Sequence, residues 1–200
     1  MIETFEELRG FYPAPKERSL KKELDHLDVH CSRFVALSPF VIVATSGKDG
    51  RLDASPRGGE PGFVRIADPG TLLLGDASGN NRLDTLANIM ETGQIGMLFF
   101  VPGVDETLRV NGRASLSRDE GILRHFESDR LPPIVVAVIA VESAFLHCAK
   151  ALMRSRLWAP ASQIARSQLP TMGQMIKEQT GSSGLPESQE AMLARYAREI

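Results

Sequence analysis

The sequence predicts an α+β fold that is mainly β, with an antiparallel sheet closed or partly closed into a barrel and helices at both ends of the chain. Short apolar runs rich in β-branched residues recur through the middle of the chain, most of them bounded by Gly, Pro, Asp or Asn. One segment with helical spacing interrupts these runs, which argues against the regular strand and helix alternation of a parallel sheet. The first and last parts of the chain carry helical spacing.

The composition indicates one domain with a full hydrophobic core. The 200 residues are 42% hydrophobic, and this length is usual for a single domain. Within one domain over residues 1–200, we expect helices over 1–36, the barrel over 39–147 and a helical C-terminal extension over 148–200. The net charge of −2 lacks the basic excess of a general nucleic-acid-binding protein, so no nucleic acid partner is expected.

The cysteines and the apolar runs indicate in which cellular compartment the protein is expected. Cys31 and Cys148 are isolated and lack metal-ligand spacing, and the first residues lack the basic and apolar regions of a signal peptide. These features predict a cytoplasmic protein without a metal site. The longest apolar run, from Ile134 to Val141, is too short to span a bilayer, so no membrane association is expected.

The spacing of the apolar residues changes at Phe40. Before it, apolar residues recur near helical spacing up to about residue 36, and Pro13 and Pro15 divide this helical segment in two. From Phe40 onward, alternating and β-branched runs predict six or seven short strands. The candidate strands cover residues 40–45, 51–55, 63–66, 71–74, 94–101, 107–115 and 134–141.

Turn residues join the first four strands. Gly47–Gly50 predicts a hairpin turn and Asp68–Gly70 a second tight turn, so these strands are expected to form an antiparallel meander. The strand over 107–115 alternates cleanly, which predicts one buried and one exposed face. Leu108, Val110 and Ala114 are expected to face inward, and Thr107, Arg109, Asn111 and Arg113 outward.

One helix is predicted between the fourth and fifth strands, over residues 81–90, with Asn80 or Asn81 as its N-cap. After the last strand the pattern weakens. The run over residues 181–186 predicts a flexible joint, which is followed by a terminal helix over residues 187–198.

Two arginines among small residues are the most informative features for function. Arg57 lies in the sequence Ser-Pro-Arg-Gly-Gly that begins at Ser55, where the glycines let a ligand approach the backbone. Arg82 follows Asn81 at the predicted helix start, where unpaired N–H groups favour an anion. The alternatives are a solvated turn for Arg57 and a surface arginine beside Asp84 for Arg82. Because both flank the predicted meander, we expect them to converge on one phosphate.

A further basic cluster comprises Lys150 and Arg154, close to Trp158. The two cations share one face if the segment is helical, and an indole beside basic residues suits packing against a planar aromatic ligand. The alternatives are a solvated charged face and an ordinary core or interface tryptophan. Ser55 lacks the Gly-x-Ser-x-Gly pattern of a nucleophile elbow. An enzyme of this sequence therefore needs a bound cofactor to supply the reactivity.

Three segments, beginning at Ser55, Gly79 and Pro102, read SPRGGEPGF, GNNRLDTLANI and PGVDETLRVNGRA. Together they resemble the pyridoxamine 5′-phosphate oxidase-like family of FMN-binding split-barrel proteins, over about residues 39–141 and, in one subgroup, 148–158. The resemblance implies a split β-barrel homodimer that holds two FMN molecules at the subunit interface. The implied FMN contacts are Ser55, Arg57, Asn81, Arg82 and Thr107, with Lys150, Arg154 and Trp158 completing the pocket, the last three from the other subunit.

The chain departs from the pyridoxamine-phosphate oxidases proper at both phosphate motifs. Those enzymes carry Arg-x-Val-Leu-Leu-Lys after the first hairpin and Ser-Arg-Lys before the helix, where this chain reads Ser-Pro-Arg-Gly-Gly-Glu and Asn-Asn-Arg. Their C-terminal substrate strand, with Trp and Arg, is not evident in this sequence. The resemblance thus supports FMN binding better than vitamin B6 oxidation.

The implied function is an FMN-dependent oxidoreductase that passes electrons or hydride between a reductant, such as a nicotinamide nucleotide, and an unidentified small molecule. The alternative is a non-catalytic flavin-binding carrier or sensor. A dimeric interaction module without flavin is a third possibility, which the presence of Arg57 and Arg82 disfavours. The residues do not distinguish FMN from a deazaflavin or haem, which the same fold accommodates.

Overall fold

The computed structural model describes residues 1–76, 79 and 81–198. Its centre is a seven-stranded antiparallel sheet, which confirms the mainly β, α+β prediction, and the sheet is not closed. Each predicted strand is present. The strands are β1 (Phe40–Ser46), β2 (Leu52–Gly58), β3 (Val64–Asp68), β4 (Thr71–Asp76), β5 (Gln94–Phe100), β6 (Thr107–Ser117) and β7 (Val135–His147).

Helices flank the sheet at both ends of the chain, as predicted. The N-terminal segment is interrupted around Pro13 and Pro15, and the last helix is shorter than the predicted 187–198. No helix within the described ranges has both the length and the apolar character needed to cross a membrane. The helices described are α1 (Phe5–Gly10), α2 (Glu17–Lys21), α3 (Val29–Leu37), α4 (Asp84–Thr92), α5 (Glu120–Leu123), α6 (Lys150–Ser155), α7 (Met172–Thr180) and α8 (Gln189–Tyr196).

The strand order is β2-β1-β5-β6-β7-β4-β3, so the predicted four-stranded meander is wrong. The hairpins β1–β2 and β3–β4 both form, but β1 pairs next with β5 and β4 pairs next with β7. A tight turn fixes pairing within a hairpin, whereas pairing between hairpins depends on which apolar faces pack together. As a result β2 and β3 are the two edges of the sheet.

The inner face of the sheet forms the core. Val41, Val43 and Phe99 are fully buried in it, and α3 covers part of it with Cys31 and Val35. Most of the β6 alternation is confirmed, because Leu108, Val110 and Ala114 are buried and Arg109, Asn111 and Arg113 are exposed. Thr107 was predicted to face outward but is only 8% exposed. It lies directly opposite His147, which is itself partly buried.

The helix after β4 starts later than predicted. It begins at Asp84, with Leu83 as its N-cap, so an N-cap at Asn81 is wrong; Asn80 lies outside the described residues. Asn81 and Leu83 both have a φ of 59°, in the left-handed region, which keeps this stretch out of the α-helix. A left-handed leucine is unfavourable by itself, and such residues concentrate at functional sites.

Candidate functional site

A cavity of about 850 Å³ lies between β2, the end of β4 and the start of α4. This volume is within the range of about 300–1,000 Å³ that is typical of small-molecule sites. Four of the predicted site residues line it together: Ser55, Arg57, Asn81 and Arg82. Arg57 and Ser55 lie on strand β2 rather than in a loop, while Asn81 and Arg82 lie in the segment before α4.

Arg57 is held between three elements of the fold. Its Nη2 donates to the Thr85 hydroxyl of α4 at 3.1 Å, and its Nη1 donates to the Pro56 carbonyl at 3.0 Å. Nη2 also lies 3.8 Å from Oδ1 of Asp76, at the end of β4. The side chain is 27% exposed. Because a guanidinium has five N–H donors, these contacts leave donors for a ligand in the cavity.

Asp53 and Thr85 position this arginine. The Ser55 hydroxyl donates to Asp53 Oδ1 at 2.8 Å, and the Thr85 hydroxyl donates to Asp53 Oδ2 at 2.5 Å. Because the Thr85 hydroxyl donates its hydrogen to Asp53, its oxygen accepts the hydrogen bond from Arg57. The threonine is only 4% exposed, which favours one fixed geometry. Sequence reasoning missed both residues, although Asp53, Ser55 and Arg57 share one face of β2 by the two-residue period of a strand.

Arg82 occupies the solvent side of the cavity. Its Nε donates to Asp84 Oδ2 at 2.7 Å, and its side chain is 74% exposed. The hydrogen bond from Arg82 to Asp84 raises the pKa of the guanidinium above its usual value. At the start of α4, Leu83 provides no side-chain cap. The first N–H groups of this nine-residue helix therefore favour an anion near Arg82.

Whether a phosphate fits the cavity depends on the charges of the residues that line it. Two arginines, an uncapped helix start and the small residues Ser55 and Gly79 suit a phosphate. Three carboxylates also line the cavity, and two of them, Asp76 and Asp84, lie next to Arg57 and Arg82, so a bound phosphate competes with these carboxylates for the two arginines. The residues present therefore fit a phosphate-bearing cofactor, which uses the remaining donors of Arg57 and competes with Asp84 for Arg82.

Asp76 is the carboxylate best placed to oppose such a ligand. Burial raises its pKa, and the nearby Arg57 lowers it by less, so burial outweighs the ion pair, whose 3.8 Å separation is long. The Asp76→Asn variant is expected to bind FMN about fivefold more tightly at pH 7, on the order of 1 kcal/mol, because one negative charge beside the phosphate is removed. Fluorescence titration with FMN measures the change, and equal affinity of variant and parent would contradict the competition.

Stability against pH provides the control for this variant. A raised pKa means that the folded protein holds a proton on Asp76 at pH values where the unfolded chain has released it. The contribution of Asp76 to the free energy of unfolding is therefore largest in acid and declines as pH rises from the unfolded pKa through the raised one. Urea unfolding of parent and Asp76→Asn across this interval should show a decline that the variant lacks.

The other predicted contacts do not line this cavity in the described part of the chain. Thr107 opens β6, and Lys150 and Arg154 both lie on α6, where the Arg154 Nε donates to the Lys150 carbonyl at 3.3 Å. The Trp158 indole donates to the Val104 carbonyl at 2.9 Å, in the segment between β5 and β6. The completion of the pocket by Lys150, Arg154 and Trp158 of a second subunit stays a prediction.

Comparison with known proteins agrees with this architecture. Group A Streptococcus HupZ is 19% identical, with 60% of this chain and 93% of that one covered and a TM-score of 0.51. A candidate pyridoxamine 5′-phosphate oxidase from Lactobacillus delbrueckii is 19% identical, with 62% and 98% covered and a TM-score of 0.50. An FAD binding protein from Mycobacterium smegmatis is 14% identical, with 62% and 100% covered and a TM-score of 0.44. None of the curated proteins matches the chain.

The two structures with TM-scores of 0.51 and 0.50 support the split-barrel fold, and at these identities they say nothing by themselves about the ligand. The family model is more specific. The model for pyridoxamine 5′-phosphate oxidase matches residues 27–148, which are more than half of the chain and include every strand and the whole cavity. The chain therefore belongs to the pyridoxamine 5′-phosphate oxidase family.

Proposed function

We propose that this protein is an FMN-dependent oxidoreductase that acts on an unidentified small molecule. The observation that carries the proposal is the convergence of Arg57, on β2, and Arg82, before α4, on one cavity. Bound FMN would supply the redox chemistry, and the chain would bind and orient it. We further propose that residues 1–200 form one domain and that the protein acts in the cytoplasm.

The two arginines have different roles in this proposal. Arg57 is fixed by Thr85 and Asp76, so it presents its donors with little loss of side-chain freedom on binding. Arg82 is largely exposed and can follow the phosphate. The N–H groups at the start of α4 add a third source of positive potential beside Asn81.

The apolar part of the lining suits the ring system of a flavin. Phe63, Leu83, Ile134 and Val135 line the same cavity as the two arginines. Leu83 is 54% and Ile134 56% exposed in the isolated protomer. Exposed apolar side chains next to a charged recess favour a ligand that is ionic at one end and planar at the other.

The ionisable groups of the lining are compatible with the oxidoreductase and with the carrier or sensor alternative. Among the described lining residues there is no His, Cys, Lys or Tyr, so the ionisable groups of the lining are three carboxylates and two arginines. A flavin protein without turnover needs no proton donor, and hydride transfer to flavin needs none from a side chain either. The distinction therefore depends on reduction of the flavin rather than on the lining.

The test is the visible absorption spectrum of the purified protein, followed by anaerobic mixing with NADH and with NADPH. A flavin spectrum that bleaches with either nucleotide supports the oxidoreductase. A bound flavin that dithionite reduces, but that NADH and NADPH reduce no faster than they reduce free flavin, supports the carrier. Protein that neither holds flavin nor takes up added FMN would overturn both.

The exposed surface supports a homodimer. The protomer exposes 13753 Å², whereas a compact monomer of 21.9 kDa is expected to expose about 9,300 Å². The excess of about 4,500 Å² per protomer is more than the roughly 1,000–2,500 Å² that each partner of an obligate dimer buries. Large apolar side chains of both terminal segments contribute to it, among them Phe5, Phe11, Leu169, Ile176 and Leu185.

We expect the protein to sediment as a dimer, at twice the 21.9 kDa of one chain, because the protomer alone leaves the apolar cavity residues and its terminal helices exposed. Sedimentation velocity at micromolar concentration, with and without FMN, measures the mass. A monomer that retains tightly bound flavin would contradict a cofactor site at the subunit interface.

A further inference from the structure

A second group of cations lies on the outer face of the sheet, where β6 begins and β7 ends. The register of the two strands places Arg109 directly opposite Phe145, and Thr107 directly opposite His147. Their neighbours Leu108 and Ala144 are fully buried on the inner face, so Arg109 and Phe145 project from the outer one.

Lys22 reaches the same place from the N-terminal segment. Leu24 forms a backbone bridge with Ala144, with N···O distances of 3.0 and 2.8 Å, along the edge of β7 that β4 does not cover. This bridge carries Lys22 to the end of β7, where its Nζ donates to the Leu146 carbonyl at 2.6 Å. Three separate parts of the chain therefore build the group.

Both cations lie against the ring of Phe145. Lys22 Nζ is 5.2 Å and Arg109 Cζ is 5.5 Å from the centroid of its ring. The His147 ring lies 5.8 Å from the same ring, at an interplanar angle of 36°. Cation–π contacts attract each cation to the ring, but they do not neutralise the repulsion between the two positive charges.

The group lacks a counter-charge in the described part of the chain. Neither Lys22 nor Arg109 forms an ion pair there, and Nδ1 of His147 is buried with no hydrogen-bond partner. Burial, followed by Arg109 and Lys22, lowers the pKa of His147. Unpartnered buried nitrogens are uncommon in folded proteins, and here one lies beside two uncompensated cations.

We propose that Lys22, Arg109 and His147 form a binding site for a small oxyanion, the carboxylate or phosphate group of a low-molecular-weight ligand. Arg109 supplies a planar fork of donors that matches such a group, Lys22 supplies a point charge, and the imidazole supplies a third positive group once it is protonated. The site shares no residue with the cavity between β2 and α4, so it does not depend on the proposed flavin.

The probe is sulfate, whose charge is constant between pH 5 and 8, added at constant ionic strength in exchange for chloride. The readout is the ring resonance of His147 in proton–nitrogen spectra of the dimeric or monomeric protein as purified. We expect a saturable shift with half-saturation in the millimolar range, and an upward shift of the His147 titration midpoint by about one pH unit at saturation. A shift that grows linearly with sulfate and does not saturate would overturn the site.

Variants separate the site from general screening. Arg109→Gln and Lys22→Gln should each weaken sulfate binding at least fivefold, whereas the exposed controls Arg51→Gln and Lys21→Gln should leave it unchanged. Equal weakening by all four variants would refute the assignment. The far-ultraviolet circular dichroism spectrum of each variant reports whether it is folded.

Two further comparisons define the ligand. Benzoate binding more tightly than inorganic phosphate would identify a carboxylate site, and the reverse order a phosphate site. The Arg57→Ala variant should respond to sulfate at His147 as the parent does, whatever its affinity for FMN. Loss of that response would place the anion in the cavity and contradict a second site.

Discussion

Arg57→Ala is expected to weaken FMN binding about 10- to 150-fold, with little change in riboflavin binding. The side chain is anchored at 3.1 Å on the buried Thr85 hydroxyl, so it offers a phosphate a charge-assisted hydrogen bond from a fixed position. Loss of such a bond is worth about 1.5 to 3 kcal/mol. Fluorescence titrations of parent and variant with both ligands measure the difference.

Arg51→Ala is the matched control for this substitution. Arg51 precedes β2, pairs with Asp49 and has a 90% exposed side chain, so its loss should leave FMN affinity unchanged. Arg82→Ala should act in the same direction as Arg57→Ala. If Arg57→Ala binds FMN as the parent does, or if the parent binds riboflavin as tightly as FMN, the cavity is not the phosphate site.

Gly112→Ala is expected to reduce the free energy of unfolding by about 3 kcal/mol or more. Gly112 lies at the irregularity in the register of β6 and β7, after Asn111. An added Cβ would lie 2.0 Å from the Ala140 carbonyl oxygen and 3.0 Å from its carbon. Both contacts are with backbone, so relief requires the two longest strands to separate.

Urea unfolding of parent and variant at one fixed protein concentration measures this loss, because association contributes to the stability of a dimer. Gly10→Ala is the control, since a Cβ at Gly10 meets no heavy atom within 4 Å. Its effect should stay within about 0.5 kcal/mol. Equal stability of Gly112→Ala and the parent would mean that β6 and β7 can shift apart without cost.

The strands could be predicted because their signals are local. Alternation along β6 correctly separated Val110 from Arg109, and the residues of the Gly47–Gly50 turn correctly joined β1 to β2. The order of the hairpins in the sheet could not be predicted, since it depends on contacts between segments far apart in sequence. The start of α4 was misplaced because left-handed conformations at Asn81 and Leu83 override a good capping sequence.

The residues of the candidate site also differ in whether a local sequence signal predicts them. Arg57 and Arg82 are conspicuous in the sequence because each lies among small residues, and the structure brings both to one cavity. Asp76 has no local signal, and it reaches Arg57 only because β4 returns beside β7 in the sheet. Thr85 resembles any threonine in the first turn of a helix until its bond to Asp53 is known.

The open edge of the sheet bears on how this protein can change over evolution. Among the described strands, β2 pairs only with β1, and β4 pairs with β7 and β3, so no ladder of backbone hydrogen bonds between described residues joins the two strands that bound the cavity. A side-chain ion pair, Arg57 with Asp76, spans them instead. Substitutions in the lining can therefore alter the width and charge of the recess while every strand pairing is retained. Ligand preference is thereby open to stepwise change at small cost in stability, which lets one scaffold acquire new cofactors or substrates.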